Sequence, residues 1–173
     1  MRRKRHEGLS SRGVGLSLAV AILFVPQQTF AATATTTFQV QITIQAACNI
    51  NSATTLDFGT QGVLATNTDA TSTITVQCTL LTPYNIGLNV GTGTGATAAA
   101  RLMTSGASSD TVTYSLYRDP SRLLVWGDTI GTNTLVGAGT GLAVSHTVYG
   151  RVPAQTTPSP ALYTDTITVT VTF

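Results

Sequence analysis

Residues 38–47 read Phe-Gln-Val-Gln-Ile-Thr-Ile-Gln-Ala-Ala. Successive side chains of an extended chain point to opposite faces. Phe38, Val40, Ile42, Ile44 and Ala46 therefore share one side, while Gln39, Gln41, Thr43 and Gln45 share the other. The stretch is a β-ribbon that is apolar on one face only. The same period returns at residues 166–173, where Ile167, Val169, Val171 and Phe173 face inward and threonines outward. One terminal strand is expected to supply a strand to a neighbour, and the other to border the place where a strand is received.

Upstream of the ribbon, Arg2, Arg3, Lys4, Arg5 and Arg12 precede an apolar run at residues 14–25, with small residues after it. That arrangement predicts a secretory signal peptide over residues 1–31, cleaved after Ala31 or Ala34. The run is shorter than the roughly 20 residues that span a bilayer, which disfavours a membrane anchor. Five of the nine basic residues leave with the leader, as does Glu7. What remains is Arg101, Arg118, Arg122 and Arg151 against six aspartates, so the exported chain is slightly acidic and has no lysine. Without a basic cluster, neither nucleic acid nor an anionic membrane is an expected partner.

Threonine, valine, alanine and glycine dominate the remainder, a composition that suits strands and turns and disfavours long helices. Cys48 and Cys78 are the only cysteines. In an exported chain the simplest expectation is one disulfide. Strand patterns appear at residues 56–59, 72–79, 84–90, 111–117, 123–126 and 143–149, separated by proline and glycine clusters. Short strands punctuated in this way predict an antiparallel sandwich. A helix is a minor candidate at residues 96–103. The glycine-rich loops at 91–95 and 137–141 are expected to be exposed, mobile connections.

Enzymatic chemistry finds little footing. Gly91-Thr-Gly-Thr-Gly-Ala96 matches a dinucleotide-binding pattern, with Asp110 at about the right distance. The pattern has physical meaning only between a parallel strand and a helix, and the segments here read as strands. His146 is the one histidine after the leader. Its neighbour Ser145 points to the opposite face of a strand, so the two cannot readily form a catalytic pair. One histidine, two cysteines expected to be oxidised and scattered aspartates give no metal-ligand spacing. The aspartates mostly adjoin Gly, Pro or Thr, where turn and capping roles are the default. Tyr114, Tyr117, Trp126, Tyr149 and Tyr163 are candidates for a sugar platform, but aromatics at strand positions more often pack in the core. No catalytic residue, cofactor or metal is expected.

Eight segments in order then carry a resemblance. They are Cys-Asn-Ile at 48–50, Leu-Asp-Phe-Gly at 56–59, Ile-Thr-Val-Gln-Cys at 74–78 and Thr-Pro-Tyr at 82–84. Tyr-Ser-Leu-Tyr-Arg-Asp at 114–119, Trp-Gly at 126–127 and Val-Tyr-Gly-Arg-Val-Pro at 148–153 follow, then Tyr-Thr-Asp-Thr-Ile-Thr-Val-Thr-Val-Thr-Phe at 163–173. The set resembles the spore coat protein U domain family, which includes subunits of archaic chaperone–usher pili of the Csu type. Pro160-Ala161 departs from the glycine turn expected there.

The resemblance implies an all-β fold: an incomplete immunoglobulin-like antiparallel β-sandwich completed by donor-strand exchange. It implies a donor segment at residues 32–47, with Phe38, Val40, Ile42 and Ile44 as the inserted side chains, and a sandwich at 48–173. Ile167, Val169, Val171 and Phe173 would form the groove-edge strand. The implied partners are a periplasmic pilus chaperone, an outer-membrane usher and neighbouring subunits, with no membrane insertion after leader removal. The product would be a secreted, cell-surface fibre used in adhesion and biofilm formation. A minor or tip adhesive subunit and a spore or cyst coat protein of the same fold stay open, with a secreted carbohydrate-binding module as the remote alternative.

Overall fold

The computed structural model describes residues 26–173, and most of the expected leader lies outside them. Residues 26–47 form neither helix nor strand. Eight strands follow: β1 (Cys48–Ala53), β2 (Thr68–Cys78), β3 (Pro83–Leu88), β4 (Arg101–Thr104), β5 (Thr111–Tyr117), β6 (Leu135–Ala138), β7 (Ala143–Val152) and β8 (Val169–Thr172). They pair antiparallel into two sheets, ordered β1-β2-β7-β5-β4 and β6-β3-β8. The described residues are therefore all-β.

Alternation in sequence becomes alternation in burial. Ile74, Val76 and Cys78 of β2 are buried, as are Tyr84, Ile86 and Leu88 of β3, Val112, Tyr114 and Leu116 of β5, and Val148 and Val152 of β7. β2 and β7 run side by side for ten residue pairs, from Thr68 opposite Val152 to Gln77 opposite Ala143, and form the backbone of the larger sheet. Trp126 is fully enclosed, and its indole N–H donates to the Ile86 carbonyl at 2.8 Å. A buried indole nitrogen needs such a partner, which fixes the ring against β3. Cys48 sits opposite Cys78 in the β1–β2 register, and the two form a disulfide.

Arg101 is the departure from an apolar interior. Its side chain is fully buried, with Nε donating to the Asn89 carbonyl (3.0 Å) and Nη1 to that of Ala98 (2.7 Å). Nη2 donates to the carbonyls of Leu88 (3.1 Å) and Trp126 (2.7 Å). Burial lowers the guanidinium pKa, and nearby Tyr114, Asp165 and Asp128 oppose that shift. The forked donor geometry ties β4 to the end of β3 and to the Trp126 loop, using backbone acceptors and no carboxylate.

Three sequence expectations fail locally. Residues 96–103 are not helical, because Thr97 and Ala100 close a tight turn and the inward pull on Arg101 sends the chain directly into β4. Residues 56–59 and 123–126 have strand-like sequences but form no strand. At the first, the Asp57 carboxylate takes the Gly59 N–H at 2.8 Å and turns the chain at Gly59 (φ 69°). At the second, Asp119 accepts from Leu123 and Leu124, leaving a single bridge between Tyr117 and Val125. The 91–95 loop is also packed in part. Gly93 is buried, and a Cβ there would come within 2.6 Å of the Leu102 Cβ.

Candidate functional site

The strand order positions an opening. In an immunoglobulin-like sandwich one sheet carries strands A, B, E and D, and the other C, F and G. β1-β2-β7-β5 reproduces the first set, and β3-β8 the C–F pair. Among the described residues no strand takes the place of G beside β8. β8 pairs only with β3, and β1 pairs only with β2, so each leaves one row of backbone N–H and C=O groups unpaired in its sheet.

Between these two edges the interior is open. Residues 53–58 on one side and 162–169 on the other border a cleft of about 580 Å³. Its lining includes Ile74, Leu88, Tyr114, Leu116 and Val148, residues that also belong to the hydrophobic core. A second hollow of about 650 Å³ shares Leu56, Phe58, Met103, Leu162 and Tyr163 with the first and extends it past Leu64 and Val112. Leu56 and Phe58 reach the cleft because Gly150 leaves room for them. A Cβ on that glycine would meet Leu56 Cδ1 at 2.7 Å. Ile50, Leu162 and Phe173 lie 41%, 81% and 59% exposed. A core reachable from solvent through a gap beside an unpaired strand suits an extended apolar segment as occupant.

Asp165 and Tyr114, which line the cleft, are bonded to each other and to the neighbouring turn. Asp165 accepts from the Thr92 N–H (2.7 Å), the Thr92 hydroxyl (2.8 Å), the Tyr114 hydroxyl (2.7 Å) and the Thr166 N–H (2.7 Å). Burial opposes ionisation of this carboxyl, but the donors outweigh it and hold its pKa below the usual carboxylate range. Burial, then the bond to Asp165, raises the Tyr114 phenol. These groups clamp the 91–92 turn to the approach to β8. No side chain among them is left free for acid–base work.

The sequence-derived residues fall out as follows. Ile167, Val169 and Val171 are partly buried against the core, with Ile167 and Val169 lining the cleft, whereas Phe173 turns out to solvent beyond the end of β8. Phe38, Val40, Ile42 and Ile44 lie outside any strand and are 72–87% exposed. Tyr114 and Trp126 are buried and unavailable to a sugar, while Tyr117, Tyr149 and Tyr163 are partly buried. The Nε2 of His146 meets the Tyr84 hydroxyl at 3.0 Å across the two sheets, and Ser145 pairs with Thr75 on the outer face. Burial lowers the His146 pKa. The Gly91–Ala96 pattern lies between β3 and β4, with no helix after it. Among the described residues no cluster of three metal-ligating side chains forms, and no helix is long and apolar enough to cross a membrane.

Sequence reading missed the 162–165 part of the wall and the role of Arg101. The wall had a signal in Leu162 and Tyr163, shortly after Pro160. Arg101 had one only in being a lone cation between Ala-rich and apolar residues.

The chain matches the Spore Coat Protein U domain over residues 34–170. It belongs to that family. The protein described as "Protein U" of Myxococcus xanthus is 40% identical over 169 residues, an alignment covering 90% of this chain and 92% of that one. A chain from the crystal structure of the CsuC–CsuE chaperone–tip adhesion subunit pre-assembly complex of Acinetobacter baumannii archaic chaperone–usher Csu pili has a similar fold. The TM-score is 0.51 at 22% identity, over 76% of this chain. This spore coat protein U domain chain spans 40% of that longer chain.

Proposed function

We propose that the chain is a structural subunit of a secreted surface fibre of the archaic chaperone–usher kind, polymerising by donor-strand complementation. In this reading residues 32–47 are the donor segment, and Phe38, Val40, Ile42 and Ile44 enter the cleft of a neighbouring subunit beside β8. Before assembly a periplasmic chaperone occupies the same cleft, and an outer-membrane usher exchanges one occupant for the other. Adhesion and biofilm formation are the roles of the finished fibre, and the subunit itself carries no active site.

One observation carries the proposal: the hydrophobic core is open between residues 53–58 and 162–169, next to a strand with one unpaired edge. The exposed apolar face of residues 38–44 supplies a matching occupant. Head-to-tail donation does not close on itself, so it propagates as a filament. Family membership and the fold shared with a chain of a chaperone–tip subunit complex support the same reading. A coat assembled from the same subunits would use the same contact.

Expression of the exported chain in a periplasm tests it. Alone, the chain aggregates or is degraded; with the chaperone of its own assembly system it accumulates as a soluble one-to-one complex. A stable, soluble monomer from solo expression contradicts the proposal.

A further inference from the structure

We infer that an apolar collar made by Leu80, Leu81 and Leu142, around the root of the N-terminal segment, docks against a second copy of this chain. The inference rests on the donor-strand reading and adds a second contact to the same subunit joint.

Two apolar turns and the root of the N-terminal segment meet at one end of the sandwich. The β2–β3 turn carries Leu80 and Leu81, and the β6–β7 turn carries Leu142. The three leucines are 67%, 78% and 72% exposed. The turns are bound to each other. The Leu81 N–H donates to the Gly139 carbonyl, the Gly139 N–H to that of Thr82, and the Gly141 N–H to that of Cys78. The N-terminal segment leaves from this same end, since the Thr79 N–H donates to the Ala47 carbonyl (2.9 Å) and the Ala47 N–H to the Thr79 hydroxyl (3.2 Å). No charged residue occurs in 79–82 or 139–142.

Leu81 adds an independent sign. Its φ is 63°, in the left-handed region that favours Gly or Asn and penalises a branched side chain. A leucine there gains nothing from the fold, because its side chain lies in water. Backbone strain coupled to an exposed apolar side chain points to a role outside the monomer.

Chain length selects the occupant. If Ile44 is the last inserted residue, the four residue steps to Cys48 reach at most about 14 Å. An acceptor copy holding Ile44 must therefore lie close against this end, within range of the three leucines. The collar then meets the rim of the acceptor's cleft, where Leu162 is also exposed. Such a contact restricts rotation about the short connection and slows dissociation.

A photo-crosslinking side chain placed at position 81 or 142 of the full exported chain, assembled with its own machinery, tests this. Crosslinks between copies are expected in polymer and are expected to vanish in Ile42→Asp/Ile44→Asp, which cannot donate. Leu81→Gly suits the backbone and keeps the fold, while Leu80→Ser and Leu142→Ser change exposed positions. The triple variant is expected to polymerise but disassemble about 10- to 100-fold faster, from the apolar area left uncovered. Polymer without crosslinks, or with unchanged disassembly, overturns the collar and leaves donor-strand assembly standing. Crosslinks that persist in the donor-defective variant overturn its link to the N-terminal root. Failure of the unaltered chain to polymerise removes both proposals together. Loss of adherence to an apolar surface without any crosslink assigns the leucines to adhesion and overturns the inference.

Discussion

Replacing Ile42 and Ile44 by aspartate should break the subunit joint without disturbing the subunit. Both side chains are largely exposed, at 83% and 72%, so neither contributes to the isolated sandwich. Burying an isoleucine is worth about 1.5–3 kcal/mol, so the pair would contribute at most about 3–6 kcal/mol to a filled cleft. At 1.4 kcal/mol per decade, losing that term alone weakens the joint by about 10²- to 10⁴-fold. An aspartate forced into an apolar cleft adds a further desolvation cost. The full set of Phe38, Val40, Ile42 and Ile44 would supply about 6–12 kcal/mol by the same measure, comparable with the ~5–15 kcal/mol net stability of a whole domain. The assay is polymer yield by gel filtration and electron microscopy, with chaperone binding measured in parallel. The double variant is expected to bind chaperone normally and form no fibre. Gln41→Asp, on the polar face of the ribbon, is expected to assemble. Fibres of normal length from Ile42→Asp/Ile44→Asp would refute the reasoning.

Three further outcomes follow from the interior. Arg101→Met strands the carbonyls of Leu88, Asn89, Ala98 and Trp126, and should cost about 3 kcal/mol or more in chemical denaturation. Reducing the Cys48–Cys78 bridge frees a loop with a sequence separation of 30 and should cost about 3–4 kcal/mol on the chain-entropy account, read as a lower denaturant midpoint. Asp165 has a folded pKa below its unfolded value. Its contribution to stability is therefore present above the ordinary carboxylate pKa and lost as pH falls through the depressed folded value. Melting temperature measured from pH 5 to pH 2 should drop less steeply in Asp165→Asn than in the unaltered chain.

Much of the sandwich was legible because period-two alternation reports directly on which face is buried. Residues 111–117 became β5 with the expected bounds, and β2, β3 and β7 contain most of their expected stretches. The failures lie where a single polar group redirects the backbone. Asp57 and Asp119 capture local N–H groups and turn apolar sequences that would otherwise pair. Arg101 sits at a position whose neighbours, alanines and Leu102, suit a helix, and only the carbonyls of distant residues reveal why the chain extends there. One wall of the cleft was visible in the sequence as the one-sided stretch at 166–173. The opening itself was not, because it is defined by a neighbour that β8 lacks among the described residues, and an absence of pairing leaves no mark on local pattern. The exposed Phe173 shows the same limit: alternation predicts an inward side chain, but strand pairing ends one residue earlier at Thr172.

The central claim is that an extended apolar segment completes this sandwich beside β8. The most direct measurement releases the Ile42→Asp/Ile44→Asp chain, whose own segment cannot donate, from its chaperone under dilute conditions with or without a synthetic peptide of residues 38–47, and compares amide hydrogen exchange and melting. At tenfold excess over its Kd the peptide should add about 1.4 kcal/mol, raising the melting temperature by about 5 °C. New protection is expected at Val169–Thr172 and across the cleft lining, and a peptide carrying the two aspartates should do neither. An unchanged melting temperature and unprotected β8 amides at the highest soluble peptide concentration would contradict it.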